Sequence, residues 1–90
     1  MNPKKISLAP SFLRKAGNLL KRNPFLKEPY RNLLLKLVSN PFDPTIHTHA
    51  LTGELKGKYA CSLTHGLRVV FKIVDDTLHL LDIGSHDEVY

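Results

Sequence analysis

Arg68-Val69-Val70-Phe71-Lys72-Ile73-Val74-Asp75-Asp76-Thr77-Leu78-His79-Leu80-Leu81-Asp82-Ile83 is the stretch that decides the fold. From Arg68 to Val74 it is rich in β-branched and aromatic residues, which pack well on a pleated surface. Asp75-Asp76 interrupts the run with residues suited to a tight hairpin turn, and Thr77 to Ile83 resumes it as the next strand. Just upstream, Tyr59, Cys61 and Leu63 alternate with Ala60 and Ser62, and Thr64-His65-Gly66 supplies a second turn. A third strand therefore precedes the hairpin. Residues 84–90 read as a polar tail.

Toward the N-terminus the period changes from two to that of a helix. Asn40-Pro41 and Asp43-Pro44 open a loop that runs to about Gly57 and carries His47, His49 and Lys56. Before it, Leu26, Tyr30, Leu33, Leu34, Leu37 and Val38 form a helical stripe from which Leu35 departs. Two starts fit this helix. Asn23 can cap with Pro24 at the first helical position, which leaves Pro29 inside the helix at the loss of a backbone bond. Alternatively the helix begins, or kinks, near Pro29. An earlier helix shows Phe12, Leu13, Ala16, Leu19 and Leu20 on one stripe, with Arg14, Lys15, Lys21 and Arg22 off it. Ser11 is its expected N-cap and Asn23-Pro24 its end. Lys4, Ile6 and Leu8 alternate as a short first strand that Ala9-Pro10 breaks. The order is β-α-α-β-β-β. Two helices ahead of a mostly antiparallel sheet make an α+β fold, expected as a single domain over residues 1–90.

The composition narrows the class. At 90 residues and 42% apolar content the chain suits one globular domain. No apolar run approaches the roughly eighteen residues of a membrane span. The start carries Lys4 and Lys5 but no apolar core of a signal peptide follows, so the expectation is a cytoplasmic protein. A single cysteine, Cys61, rules out an internal disulfide and a cysteine zinc cage, and reads as a small buried hydrophobe. The net charge of +5 is unevenly placed. Residues 1–40 hold nine Lys or Arg against one acid, a net +8, whereas residues 41–90 come to −3. A basic half suits a polyanionic partner, nucleic acid or an acidic protein segment, as well as a plainly solvated helix face.

There is no nucleotide-binding glycine loop, no H-E-x-x-H and no G-x-S-x-G. What remains is five histidines, all in the second half: His47, His49, His65, His79 and His86. None pairs at the spacing of a helical metal site, so metal binding is the weaker reading and no cofactor is called for. RNA cleavage suits these residue types. An attacking 2′-hydroxyl must lose a proton, a leaving 5′-oxygen must gain one, and the phosphate needs a cation beside it. His49, His86, Arg68 and Lys56 supply such groups. His47, His65 and His79 read by type as structural or surface residues.

Three blocks carry a resemblance: His49-Ala50-Leu51-Thr52-Gly53-Glu54-Leu55-Lys56-Gly57, Leu67-Arg68-Val69-Val70-Phe71-Lys72-Ile73, and Leu81-Asp82-Ile83-Gly84-Ser85-His86-Asp87-Glu88-Val89-Tyr90. In this order and at these distances the chain resembles the YafQ-type branch of the RelE superfamily of toxins. The resemblance implies the RelE-like fold and a toxin of a type II toxin–antitoxin pair, held inactive by a cognate antitoxin. It further implies cleavage of messenger RNA in the ribosomal A site by 2′-hydroxyl attack, without metal or cofactor. His49 and His86 then match the family's acid–base histidines, and Arg68 the strand arginine on the scissile phosphate. Tyr90 matches an aromatic residue that orients or stacks on a base, and Lys56 a phosphate contact. Ser62 and Gly66 stand where some members have a histidine and an acid, and His65, beside that turn position, is the candidate substitute. Two other classes share the frame: a ParE-like gyrase inhibitor, and a homologue that has lost catalysis and only binds antitoxin or RNA.

Overall fold

The computed structural model describes residue 3 and residues 5–90, so Lys4 of the expected first strand lies outside the described residues. Its strands are β1 (Lys5–Leu8), β2 (His49–Ala50), β3 (Tyr59–Thr64), β4 (Leu67–Val74) and β5 (Thr77–Gly84). Its α-helices are α1 (Pro10–Arg22), α2 (Lys27–Ser39) and α3 (His86–Val89). One five-stranded sheet runs in the order β1-β5-β4-β3-β2. β1 lies parallel to β5 on one edge, and every other neighbouring pair is antiparallel. The expected α+β arrangement therefore holds, with a short strand and a short terminal helix added to it.

The β4–β5 hairpin forms where the alternation placed it, with Asp75 in the left-handed region at its turn (φ 56°). Cys61, Leu63, Val69 and Phe71 turn to the helices and join Phe12, Ala16, Leu33 and Leu37 in the main core. Full burial of each Val, Leu or Phe among them stabilises by roughly 1.5–3 kcal/mol. Aromatic contacts bind the layers: Phe12 stacks on Tyr30 at 6.4 Å between the two long helices, and Tyr59 on Phe71 at 5.6 Å across β3 and β4. The opposite face of the sheet carries a second, small cluster of Ala60, Val70 and Val89, with Leu51 and Leu81 beside it.

Several local expectations are corrected. Ser11 does not cap α1. Ala9 takes that position and Pro10 begins the helix, where its missing N–H has no intrahelical role, while the Ser11 hydroxyl reaches the Leu81 carbonyl at 3.5 Å. Both proposed starts of the second helix are partly realised. Pro24–Leu26 forms a 3₁₀ turn after Asn23, and α2 proper starts at Lys27 with Pro29 inside its first turn, again at no cost in hydrogen bonds. Leu13 and Val38 lie on the expected stripes but are exposed, 54% and 45%, because each helix meets the sheet along a strip narrower than its apolar residues. The long loop contains β2 and two 3₁₀ turns, Pro44–Ile46 and Gly53–Leu55. The polar tail is in fact α3, whose Val89 is buried on the sheet.

Candidate functional site

His49 is placed by β2, which pairs with β3 through His49–Ala60 and Ala50–Tyr59. Two residues make a weak strand, and the approach to it is shaped by His47, whose backbone is left-handed (φ 54°, ψ 42°) at the end of the Pro44–Ile46 turn. His86 and Tyr90 are placed by α3. The Ser85 N–H donates to Glu88 Oε1 at 2.8 Å, and Val89 packs on Ala60 and Val70. The Ser85 backbone and hydroxyl bonds hold the Glu88 carboxyl below its ordinary range. Loop and tail thus meet over the sheet face that the long helices leave uncovered.

The side chains converge on Tyr90. Its hydroxyl lies 3.3 Å from Nε2 of His49, and Nδ1 of His49 lies 3.3 Å from the carbonyl oxygen of His47. The Tyr90 ring meets His86 edge-on at 4.3 Å between centroids (81°) and His49 edge-on at 6.4 Å (87°). Partial burial pushes the Tyr90 phenol above its ordinary value, against the opposing pull of the Arg68 charge. The phenol is therefore a hydrogen-bond donor at neutral pH.

Arg68 stands opposite Ser62 in the β3–β4 ladder. It does not pair with Asp82, which instead holds Lys15 at 2.7 Å. Its Nη1 donates to the carbonyls of Thr64, His65 and Leu67 at 3.3, 3.0 and 3.4 Å, while Nε and Nη2 carry no such bond among the described residues. Arg68, Ser62 and His65 line one polar cleft of about 540 Å³ together with His47 and His49. Tyr90 borders the adjoining hollow formed by Ala50 to Leu55. Lys56 lines neither and stands exposed at the end of the Gly53–Leu55 turn, apart from the histidines. Among the described residues no group of three His, Cys, Asp or Glu side chains is placed to hold a metal.

Five of the seven expected residues, His49, Ser62, His65, Arg68 and Tyr90, therefore line the two hollows, and His86 joins them through its ring contact with Tyr90, while Lys56 stands apart. His47 is the addition. Its residue type gave no sign of a role, because what it contributes is a carbonyl oxygen and a strained backbone. Cys61 is fully buried on β3, and its thiol is pushed up to about 12 by that burial, so it takes no part.

A protein-family model describing the bacterial toxin YafQ of type II toxin–antitoxin systems matches residues 4–90. No curated protein sequence matches the chain. Among solved structures, a copper-bound mutant toxin from Helicobacter pylori is 32% identical, with a TM-score of 0.83 over 96% of this chain and 98% of that one. YafQ from E. coli has the same fold at 18% identity (TM-score 0.80, 96% and 97% covered), as does the YafQ chain of an E. coli DinJ–YafQ complex (18%, TM-score 0.80, 96% and 97% covered). The match takes in the helical half, whose sequence resembles the family only in pattern, along with the three blocks that build the site, and on that extent the chain belongs to the YafQ family of bacterial toxins of type II toxin–antitoxin systems.

Proposed function

We propose that this toxin is an endoribonuclease that cuts messenger RNA in the ribosomal A site by metal-independent acid–base catalysis. One observation carries the reading: His49 from the edge strand and His86 from the terminal helix both make edge contacts with a single ring, Tyr90, whose phenol feels the Arg68 charge. Two imidazoles can take the proton of the 2′-hydroxyl and supply one to the leaving 5′-oxygen. The attack forms a 2′-oxygen–phosphorus bond and breaks the bond to the 5′-oxygen. Arg68, with Nε and Nη2 unengaged, serves the charge gathering on the phosphate. Tyr90 offers a ring for a base to stack on, Ser62 and His65 contact the substrate from the cleft, and Lys56 takes a phosphate further along the strand. An open, shallow site of this kind gains from the ribosome, which holds the message in place.

The proposal includes a cytoplasmic setting and a cognate antitoxin. An acidic antitoxin segment that folds on binding would dock along the +8 half and cover the cleft bearing His86. The E. coli YafQ relative has been solved with its partner DinJ.

The test is primer extension on messages from a translation reaction containing the purified toxin, beside His86→Ala and a ribosome-free control. Cuts in register with codons, absent without ribosomes and reduced at least about 100-fold in the variant, match loss of an acid–base group. Intact message with normal translation removes the nuclease reading and directs attention to gyrase supercoiling.

A further inference from the structure

An imidazole on an exposed two-residue strand would ordinarily turn freely and exchange its two neutral tautomers. His49 is not left in that state, because each ring nitrogen lies 3.3 Å from a partner of its own. The partner of Nδ1 is the His47 carbonyl, which can only accept, so Nδ1 must carry the proton. The bond made at one nitrogen decides the state of the other, and Nε2 is left as the acceptor. Its partner, the Tyr90 hydroxyl, is a protonated phenol able to donate to it.

The backbone beneath this arrangement is costly. A non-glycine residue in the left-handed region is disfavoured by roughly 1–2 kcal/mol, and such strain persists where the surroundings over-determine it. His47 adopts it two residues before His49, at the point where the 3₁₀ turn gives way to β2. On the other side, Tyr90 is held by the α3 anchor and touches both imidazoles with one ring.

We propose that the Tyr90 hydroxyl and the His47 carbonyl are a pair of positioning groups that lock His49 in its Nδ1–H tautomer, with Nε2 presented as the general base; this rests on the ribonuclease reading above. The RNA 2′-hydroxyl replaces the phenol as the donor to Nε2. Its proton passes to Nε2 as its oxygen bonds to phosphorus, and His86 then protonates the departing 5′-oxygen. His49 leaves the step as the imidazolium, His86 as the neutral ring.

The experiment is a long-range proton–nitrogen correlation spectrum of the free, ¹⁵N-labelled toxin at a pH where the imidazole is neutral. His49 signals are identified by their loss in His49→Gln. The expected spectrum shows protonated Nδ1 and bare Nε2. Tyr90→Phe keeps the ring against His86 but removes the hydroxyl, and should bring in the Nε2–H form and slow cleavage roughly 10- to 100-fold, as misplacement of a reacting group does. An Nε2–H form in the unaltered toxin, a tautomer indifferent to Tyr90→Phe, or a Tyr90→Phe toxin that cuts at the full rate overturns the proposal. A locked tautomer that Tyr90→Phe releases, in a toxin that cuts no message, instead overturns the ribonuclease reading and leaves the positioning geometry standing.

Discussion

Arg68 Nη1 donates to the carbonyl of His65 at 3.0 Å, so the arginine braces the turn between β3 and β4 with one nitrogen while its side chain lines the cleft. Bracing and the proposed phosphate contact both depend on the planar fork. Lysine keeps the charge but has a single rotating head group that cannot do both. Arg68→Lys should therefore lose on the order of 100-fold in message cleavage, comparable to removal of one charge-stabilising donor. The lost turn bonds should cost about 0.5–1.5 kcal/mol in urea unfolding. A variant that cuts as well as the parent would place the phosphate elsewhere.

The Glu88 carboxyl ties α3 to Ser85 and, with it, fixes the position of His86 and Tyr90. Its pKa is depressed in the folded chain, with the Ser85 backbone bond as the first cause. The stabilisation from the ionised carboxyl is then complete above the unfolded carboxylate value of about 4.3 and lost as pH falls through the lower folded value. Amide protection factors at Val89 and Tyr90, measured against the intrinsic exchange rate at each pH, should fall over that acidic range, and Glu88→Gln should be less protected at neutral pH with no such step. Equal protection in the two proteins at neutral pH would show that the carboxylate is not the anchor.

Gly84 ends β5 beneath the same helix, and a Cβ there would sit 3.1 Å from both Cβ and Oε1 of Glu88. That spacing is tighter than ordinary van der Waals contact, so in Gly84→Ala the Glu88 side chain must give by a few tenths of an ångström, which shifts the start of α3. The main core between sheet and long helices is untouched. Cleavage should fall by roughly a few-fold, since a full 1 Å misplacement of a reacting group costs on the order of 100-fold. The melting temperature should move much less than for a core truncation. A large drop in melting temperature with activity retained at low temperature would contradict this.

What could be read from the residues follows the length of the elements. The β4–β5 hairpin and α1 are long enough for periodicity to register, and both formed where the pattern placed them, except that α1 starts two residues earlier, at Pro10. β2 has two residues, too few to show alternation, and exists because β3 offers it an edge. α3 has four residues and looked polar, yet Ser85 with Glu88 three residues on is the spacing of a capping box, a signal that was legible. The histidines at 49 and 86 were found by resemblance. Their meeting at Tyr90 was not legible, because it depends on tertiary placement of both. His47 left no trace at all, since a carbonyl oxygen belongs to every residue.

Cys61 is the only thiol, and burial pushes it up to about 12, with the Arg68 charge acting in the opposite sense. The thiolate is the reactive species, so at pH 8 the native toxin should be nearly inert to iodoacetamide. Labelling should occur only through opening of the sheet and accelerate sharply in denaturant. Mass spectrometry over a time course measures this directly. Fast labelling of the folded toxin would mean that β3 opens far more easily than its place in the main core allows.

His47 separates backbone from side chain. Its φ of 54° is a region that asparagine tolerates and a β-branched residue does not. His47→Asn should unfold within about 0.5 kcal/mol of the parent, as surface substitutions do. His47→Val must either strain or leave the left-handed region, at a cost of about 1–2 kcal/mol. If it leaves, the carbonyl turns away from His49 and the Nδ1–H tautomer should be lost along with much of the cleavage. Asparagine, keeping the backbone, should preserve the tautomer. The pair therefore asks whether the imidazole at this position or the chain that carries it is what the site uses. Loss of the tautomer in both variants would assign the role to the imidazole.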